Sequence, residues 1–121
     1  MTVAILGASQ TPSRYSYMAQ KNLMQEGYSV IPVTPKYSEV LEVSAVDSLS
    51  KIGVKVDTLT IYISPEKLDN QLQAILELSP RRAIFNPGTE SSAVEAALRE
   101  AGIETERACT LVLLRTGQFE N

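Results

Sequence analysis

The feature that most constrains this chain is a regular alternation of short apolar runs with helical patterns. The runs are short enough to be strands. Between them, apolar residues recur at the three-and-four spacing of an amphipathic helix. Strands joined by helices pair in parallel and are covered on both faces. The alternation therefore predicts a three-layer α/β fold with a mostly parallel sheet of about five to six strands. The predicted strands are residues 2–6, 29–33, 58–63, 82–85 and 103–108.

The remaining segments have weaker patterns. Residues 34–51 are predicted to form a loop with a short edge strand at 43–46 and a helical turn begun by Ser48. Residues 110–119 fit either a helical turn or a strand. No linker or repeat divides the sequence, and 121 residues are enough for one hydrophobic core. We therefore expect a single Rossmann-like domain over residues 1–121.

Composition excludes several classes of function. The net charge of −3 gives no attraction to nucleic acid or an anionic membrane, and no apolar run approaches the ~20 residues that cross a bilayer. Histidine is absent, which excludes Ser-His-Asp hydrolysis, phosphohistidine relays and histidine-ligated zinc. No metal site is predicted. The single cysteine, Cys109, and the lack of a leader pattern favour a cytoplasmic location.

The richest candidate site follows the first strand. Ligands of open parallel sheets bind beyond the carboxyl ends of the strands. There, Gly7 permits a tight turn, Ser9 and Ser13 carry hydroxyls, and Arg14 can bind phosphate. The next helix also begins there with unpaired N–H groups, which favour an anion. A turn and helix cap without a ligand would use the same residues, but the position after the first strand favours a phosphate site.

Several motifs in consistent order resemble one protein family. Residues 7–16 match the signature G-A-S-x-x-P-x-R-x-S, and residues 30–37 are similar to V-I-P-V-N-P-K-Y, with Thr34 in place of the usual asparagine. Further matches are Ser48-Leu49, residues 86–90 and Cys109, whereas the segment after Cys109 matches poorly. The chain thus resembles the small stand-alone CoA-binding domains, which are relatives of the N-terminal domain of the succinyl-CoA synthetase alpha subunit.

The resemblance implies a CoA-binding Rossmann fold with the pyrophosphate near Ser9 and Arg14 and a phosphate near Lys36. A dinucleotide site for NAD would normally have G-x-G-x-x-G and an acidic residue after the second strand. The lysine found there instead suits the extra ribose phosphate of CoA or NADP. The predicted cofactor-binding residues are Gly7, Ala8, Ser9, Pro12, Ser13, Arg14, Thr34, Pro35, Lys36, Ser64, Pro65, Asn86, Pro87 and Gly88.

We therefore expect a binding module for coenzyme A or an acyl-CoA, a small nucleotide ligand, without catalysis of its own. The alternatives are an NADP-dependent reductase or a subunit that needs a partner to complete an acyl-CoA ligase. A homodimer or a protein partner remains open. Cys109 is expected either as a small buried apolar residue or as a thiol facing the ligand. Arg81 and Arg82 are expected to be solvated, on the side of the sheet opposite the site.

Overall fold

A computed structural model describes residues 1–120. Its main feature is a five-stranded, fully parallel sheet in which the strands lie side by side in the order 29–33, 2–6, 58–61, 82–85 and 104–107. Helices cover both faces, which confirms the predicted Rossmann-like α/β fold. The strands of the described chain are β1 Thr2–Leu6, β2 Ser29–Val33, β3 Glu39–Val40, β4 Val43–Ser44, β5 Thr58–Ile61, β6 Arg82–Phe85 and β7 Glu104–Arg107. The helices are α1 Tyr15–Gln25, α2 Pro65–Asp69, α3 Leu72–Leu78, α4 Ser92–Glu100 and α5 Thr110–Arg115, with a short 3₁₀ turn at Leu49–Lys51.

Two hydrophobic clusters, one on each face of the sheet, account for the nearly continuous apolar strands. On one face, α2, α3 and α4 bury Leu68, Ile75 and Leu98 against β5 and β6. On the other face, α1 and α5 bury Leu23 and Leu113 against β1. A strand that is covered on both sides has no solvent-facing positions, so its sequence does not alternate.

The structure corrects or completes the prediction at several elements. The strands predicted at 58–63 and 103–108 are shorter, at Thr58–Ile61 and Glu104–Arg107. The helix expected after Ser64 is broken into α2 and α3, with residues 70 and 71 between them. The edge strand expected at 43–46 is β4, which pairs with β3 in a separate hairpin, while Val46 bridges to Val33. The ambiguous segment after Cys109 begins as α5.

Arg82, expected to be solvated, is fully buried at the amino end of β6. Its guanidinium donates to the Thr58 hydroxyl at 3.3 and 3.2 Å, lies 3.6 Å from a Glu106 carboxylate oxygen and stacks 4.6 Å from the centre of the Phe119 ring. Burial lowers the pKa of Arg82 from its ordinary value. The prediction was wrong because the C-terminal segment folds over this end of the sheet. No helix within residues 1–120 has both the length and the apolar character needed to cross a membrane.

Candidate functional site

A cleft of about 780 Å³ opens at the carboxyl ends of the central strands. The connection from β1 leads to β2 on one side, whereas β5, β6 and β7 extend the sheet on the other side of β1. Loops that leave the sheet at such a switch point diverge and leave a crevice between them. The volume lies within the roughly 300–1,000 Å³ that is typical of small-molecule sites.

Gly7 forms the floor of this cleft, where the backbones after β1 and β5 come close together. Its φ of +93° favours glycine, and a Cβ atom there would lie 2.9 Å from both the Tyr62 carbonyl oxygen and Cγ2 of Ile63. The N–H groups of Gly7 and Ala8 both donate to the Val33 carbonyl, at 3.0 and 3.2 Å. These two amides therefore fix the loop to the end of β2 and are not available to a ligand.

The amides at the start of α1 are available. Upstream, Ser9 Oγ accepts the Thr11 N–H at 3.0 Å, and the Arg14 N–H donates to the Thr11 carbonyl at 3.0 Å. The Arg14 side chain does not cap the helix. Within the described residues, the N–H groups of the first turn, Tyr15, Ser16 and Tyr17, have no acceptor. All three groups carry the positive end of the helix dipole, which stabilises a bound anion.

Three cationic residues, Arg14, Lys36 and Lys67, line the cleft. None of them forms an ion pair with another residue of the 1–120 segment. The Lys36 N–H donates to the Thr34 hydroxyl at 3.1 Å, which fixes the turn after β2. The one carboxylate among the lining residues, Asp47, pairs with Lys51 at 3.0 Å. The cleft therefore has positive charge to offer an anionic ligand.

Asn86 stabilises the fold beside the cleft through three side-chain hydrogen bonds. Its side-chain amide donates to the Thr60 hydroxyl at 2.7 Å and to the Ile61 carbonyl at 2.9 Å, and its oxygen accepts the Thr110 N–H at 2.8 Å. These bonds tie β5, β6 and α5 together. Asn86 is buried and does not line the cleft, so its polar atoms are already in use.

Most of the predicted binding residues lie around this one cleft. The ten that line it are Gly7, Ala8, Ser9, Arg14, Thr34, Pro35, Lys36, Ser64, Pro87 and Gly88. The four that do not line it are Pro12, Ser13, Pro65 and Asn86. Lining residues that the sequence reasoning missed include Tyr15, Tyr62 and Lys67. Tyr62 was missed because the predicted strand, residues 58–63, includes it, whereas β5 ends at Ile61 and leaves Tyr62 in the loop that follows. An exposed helical lysine such as Lys67 gives no local signal.

Two other side chains near this end of the sheet have reactive groups. Burial raises the pKa of Tyr62 to about 12, and its hydroxyl has no hydrogen-bond partner in the described structure. Cys109 occupies the position before the first turn of α5 and is partly buried, but its side chain does not cap the helix and it is not one of the residues that line the cleft. At neutral pH the Tyr62 phenol is therefore protonated.

The comparison with protein-family models identifies one family. A family model described as a CoA binding domain matches residues 1–115. The uncharacterized protein YneT of Bacillus subtilis is 36% identical over 75 residues, which are 62% of this chain and 56% of that protein. An ADP-forming acetate–CoA ligase of Archaeoglobus fulgidus is 32% identical over 102 residues, 84% of this chain but 14% of the ligase.

The fold is shared with a solved structure of similar length. A crystal structure of an uncharacterized protein superposes with a TM-score of 0.91 and 43% sequence identity, over 98% of this chain and 97% of the other. The family model covers nearly the whole chain, from β1 to the end of α5. This chain therefore belongs to the CoA-binding domain family.

Proposed function

We propose that the chain binds coenzyme A or an acyl-CoA in the cleft, with the diphosphate held at the start of α1. One observation carries the proposal: within residues 1–120, the three first-turn amides have no acceptor and Arg14 forms no ion pair, and both border a cleft of suitable size. Helix N-terminal amides bind phosphate oxygens directly, and a guanidinium can add a bidentate contact. Gly7 lets the loops after β1 and β5 approach closely, which forms the floor of the cleft beneath the start of α1.

Lys36 is proposed to bind the 3′-phosphate of CoA. It follows β2, the strand next to β1, and its backbone is fixed by the bond to Thr34. A phosphomonoester carries about −1.5 to −2 charge at neutral pH, so a nearby ammonium group favours CoA over its dephosphorylated form. NAD, which has no such phosphate, should bind more weakly than CoA.

Isothermal titration calorimetry with CoA, dephospho-CoA, NADP and NAD tests both assignments. We expect CoA to bind most tightly and dephospho-CoA more weakly, and Lys36→Met should remove the difference between them. Lys55→Met is the matched control, because Lys55 is exposed and does not line the cleft. Absence of heat with both forms of CoA would contradict the proposed function.

The chain is proposed to bind without catalysing a reaction alone. General acid–base catalysis needs a group whose pKa lies near the working pH. The chain has no histidine, the Asp47 carboxylate is paired with Lys51, and the Tyr62 phenol has a pKa of about 12. Incubating the purified chain with acyl-CoA should leave the thioester intact, as measured by chromatography.

A second candidate is the CoA-holding part of a larger ligase. The sequence likeness to the acetate–CoA ligase of Archaeoglobus fulgidus favours it, because the matched segment is 14% of that enzyme. In this case the chain would need a partner that supplies the remaining steps. Affinity purification of the tagged chain from its own host, followed by native mass spectrometry, distinguishes the two candidates. A stoichiometric protein partner with ligase activity would favour the second one.

A further inference from the structure

Lys67 lies on the wall of the cleft opposite the start of α1. It belongs to α2, which follows β5, and β5 pairs directly with β1. At the floor, the Tyr62 N–H donates to the Leu6 carbonyl at 2.8 Å. The backbone after β5 is so close to Gly7 that a Cβ there would overlap it. The two walls therefore rise from neighbouring strands that are about 4.8 Å apart.

The backbone of Lys67 is well anchored although its side chain is exposed. The next residue, Leu68, is fully buried in the core, and its N–H donates to the Ser64 carbonyl at 2.9 Å. Lys67 forms no ion pair within residues 1–120. It is therefore a fixed attachment point for a free ammonium group on the edge of the cleft.

Charge balance favours an anion between Lys67 and Arg14. The chain as a whole carries −3, so its overall field opposes a negatively charged ligand and binding depends on local cations. A diphosphate diester carries two negative charges, and Arg14 supplies one positive charge. A second cation on the facing wall would complete the neutralisation.

We propose that Lys67 binds the diphosphate from the wall opposite α1, so that two cations from either side of the switch point hold it. This inference rests on the proposed function and adds a residue to its site. The strand order also places the two lysines at different positions along the cleft, so that each can bind a different phosphate group. Lys36 follows β2 and Lys67 follows β5, with β1 between them, so their starting points are about two strand spacings, or ~10 Å, apart.

Calorimetry with CoA, dephospho-CoA and ADP tests the assignment, because all three contain the diphosphate and only CoA has the 3′-phosphate. Lys67→Met should weaken binding of CoA and dephospho-CoA, which share the diphosphate diester, by the same factor, about fivefold for a solvent-exposed charge contact. It should also weaken binding of ADP, whose terminal phosphate carries an additional negative charge. Lys36→Met should weaken CoA alone, and Lys67→Arg should retain most of the affinity. Lys55→Met is again the control.

The outcomes separate failure of this inference from failure of the proposed function. If Lys67→Met weakens only CoA, the lysine binds the 3′-phosphate and the inference is wrong. If it changes no affinity while the wild type binds CoA, Lys67 is merely solvated and the proposed function stands. A wild type that binds none of the three ligands overturns both. Unchanged urea midpoints for the variants exclude an effect through unfolding.

Discussion

Gly7→Ala should destabilise the fold more than an alanine at any glycine with a similar backbone angle but open surroundings. Gly7 has a φ of +93°, and a Cβ atom would lie 2.9 Å from the Tyr62 carbonyl oxygen and 3.0 Å from its carbon. Gly27 has nearly the same φ, +90°, but a Cβ there would meet nothing within 4 Å. The pair therefore separates backbone strain from steric overlap.

The two costs can be estimated independently. A residue with a side chain in the left-handed region loses about 1–2 kcal/mol, and this cost applies to both variants. Overlap with packed atoms typically adds about 1–3 kcal/mol, and at Gly7 most of the contact is with backbone that cannot rotate away. We expect a loss of about 1–2 kcal/mol for Gly27→Ala and about 2–5 kcal/mol for Gly7→Ala.

Urea unfolding followed by circular dichroism gives both free energies, with equal m-values required for the comparison. Gly7→Ala should also weaken CoA binding, because relief of the overlap moves the loop away from β5, whereas Gly27→Ala should not. If both variants lose the same stability, the close approach of the two backbones at the floor of the cleft is not present in solution.

Three further substitutions have expected outcomes. Arg82→Met should lower the free energy of unfolding in urea by about 1–3 kcal/mol, because it removes the buried hydrogen bonds and the contact with the Phe119 ring. A double-mutant cycle with Phe119→Leu that gives no coupling energy would contradict the contribution of the ring contact. Asn86→Ala should lower the free energy of unfolding by about 2–3 kcal/mol, because it leaves the Thr110 N–H unpaired in the interior. Hydrogen exchange at the Thr110 amide should become faster. Tyr62→Phe should leave the free energy of unfolding at pH 8 unchanged or raise it by up to about 1 kcal/mol, because the buried hydroxyl has no hydrogen-bond partner within residues 1–120. The folded pKa of Tyr62, about 12, exceeds the ordinary 10.0, so the stability that depends on the protonated phenol is complete below pH 10 and is lost as the pH rises towards 12. The Phe variant should lose less stability over this range, and an identical alkaline decline in both proteins would refute the assignment.

The central strands could be predicted from the sequence because their signal is local. β1, β2 and β6 have the predicted bounds, and each is a short apolar run followed by a turn residue or a polar residue. Burial on both faces leaves no alternative pattern for such runs in a chain that also has amphipathic helices. The parallel arrangement followed from the connections, not from the strands themselves.

The errors concern features that depend on distant residues. The break between α2 and α3 falls within an apolar stripe that a single longer helix would also satisfy. Arg82 carries a charge that is almost always solvated, and its burial depends on Phe119, which lies 37 positions further along the chain. Nothing near Arg82 in the sequence indicates that a ring will cover it.

The candidate site was predictable in place but not in detail. The turn after β1 could be recognised from its glycine and its position, since ligand sites of such sheets follow the strands. Lys67 was missed because its relevance depends on β5 lying next to β1. Asn86 belongs to a turn motif, yet its side-chain bonds are made with Thr60 and Thr110, which come together only in the folded chain.

The charged side chains at the two ends of the sheet differ in whether they are paired, and the proposed site lies at the end where the cations are unpaired among residues 1–120. At the amino end of β6, Arg81 pairs with Asp57 at 2.8 Å and holds the pKa of that carboxyl below its usual range, while Arg82 is buried beside Glu106. Charges that are paired in this way stabilise the fold, but because their partners neutralise them they attract a charged ligand only weakly. At the carboxyl end, Arg14, Lys36 and Lys67 line a cleft without partners among residues 1–120. Like charges gathered on one cleft repel each other, so the folded chain is relieved of that repulsion when an anion binds between them. A phosphate-bearing ligand would therefore stabilise the part of the structure that folding alone leaves uncompensated.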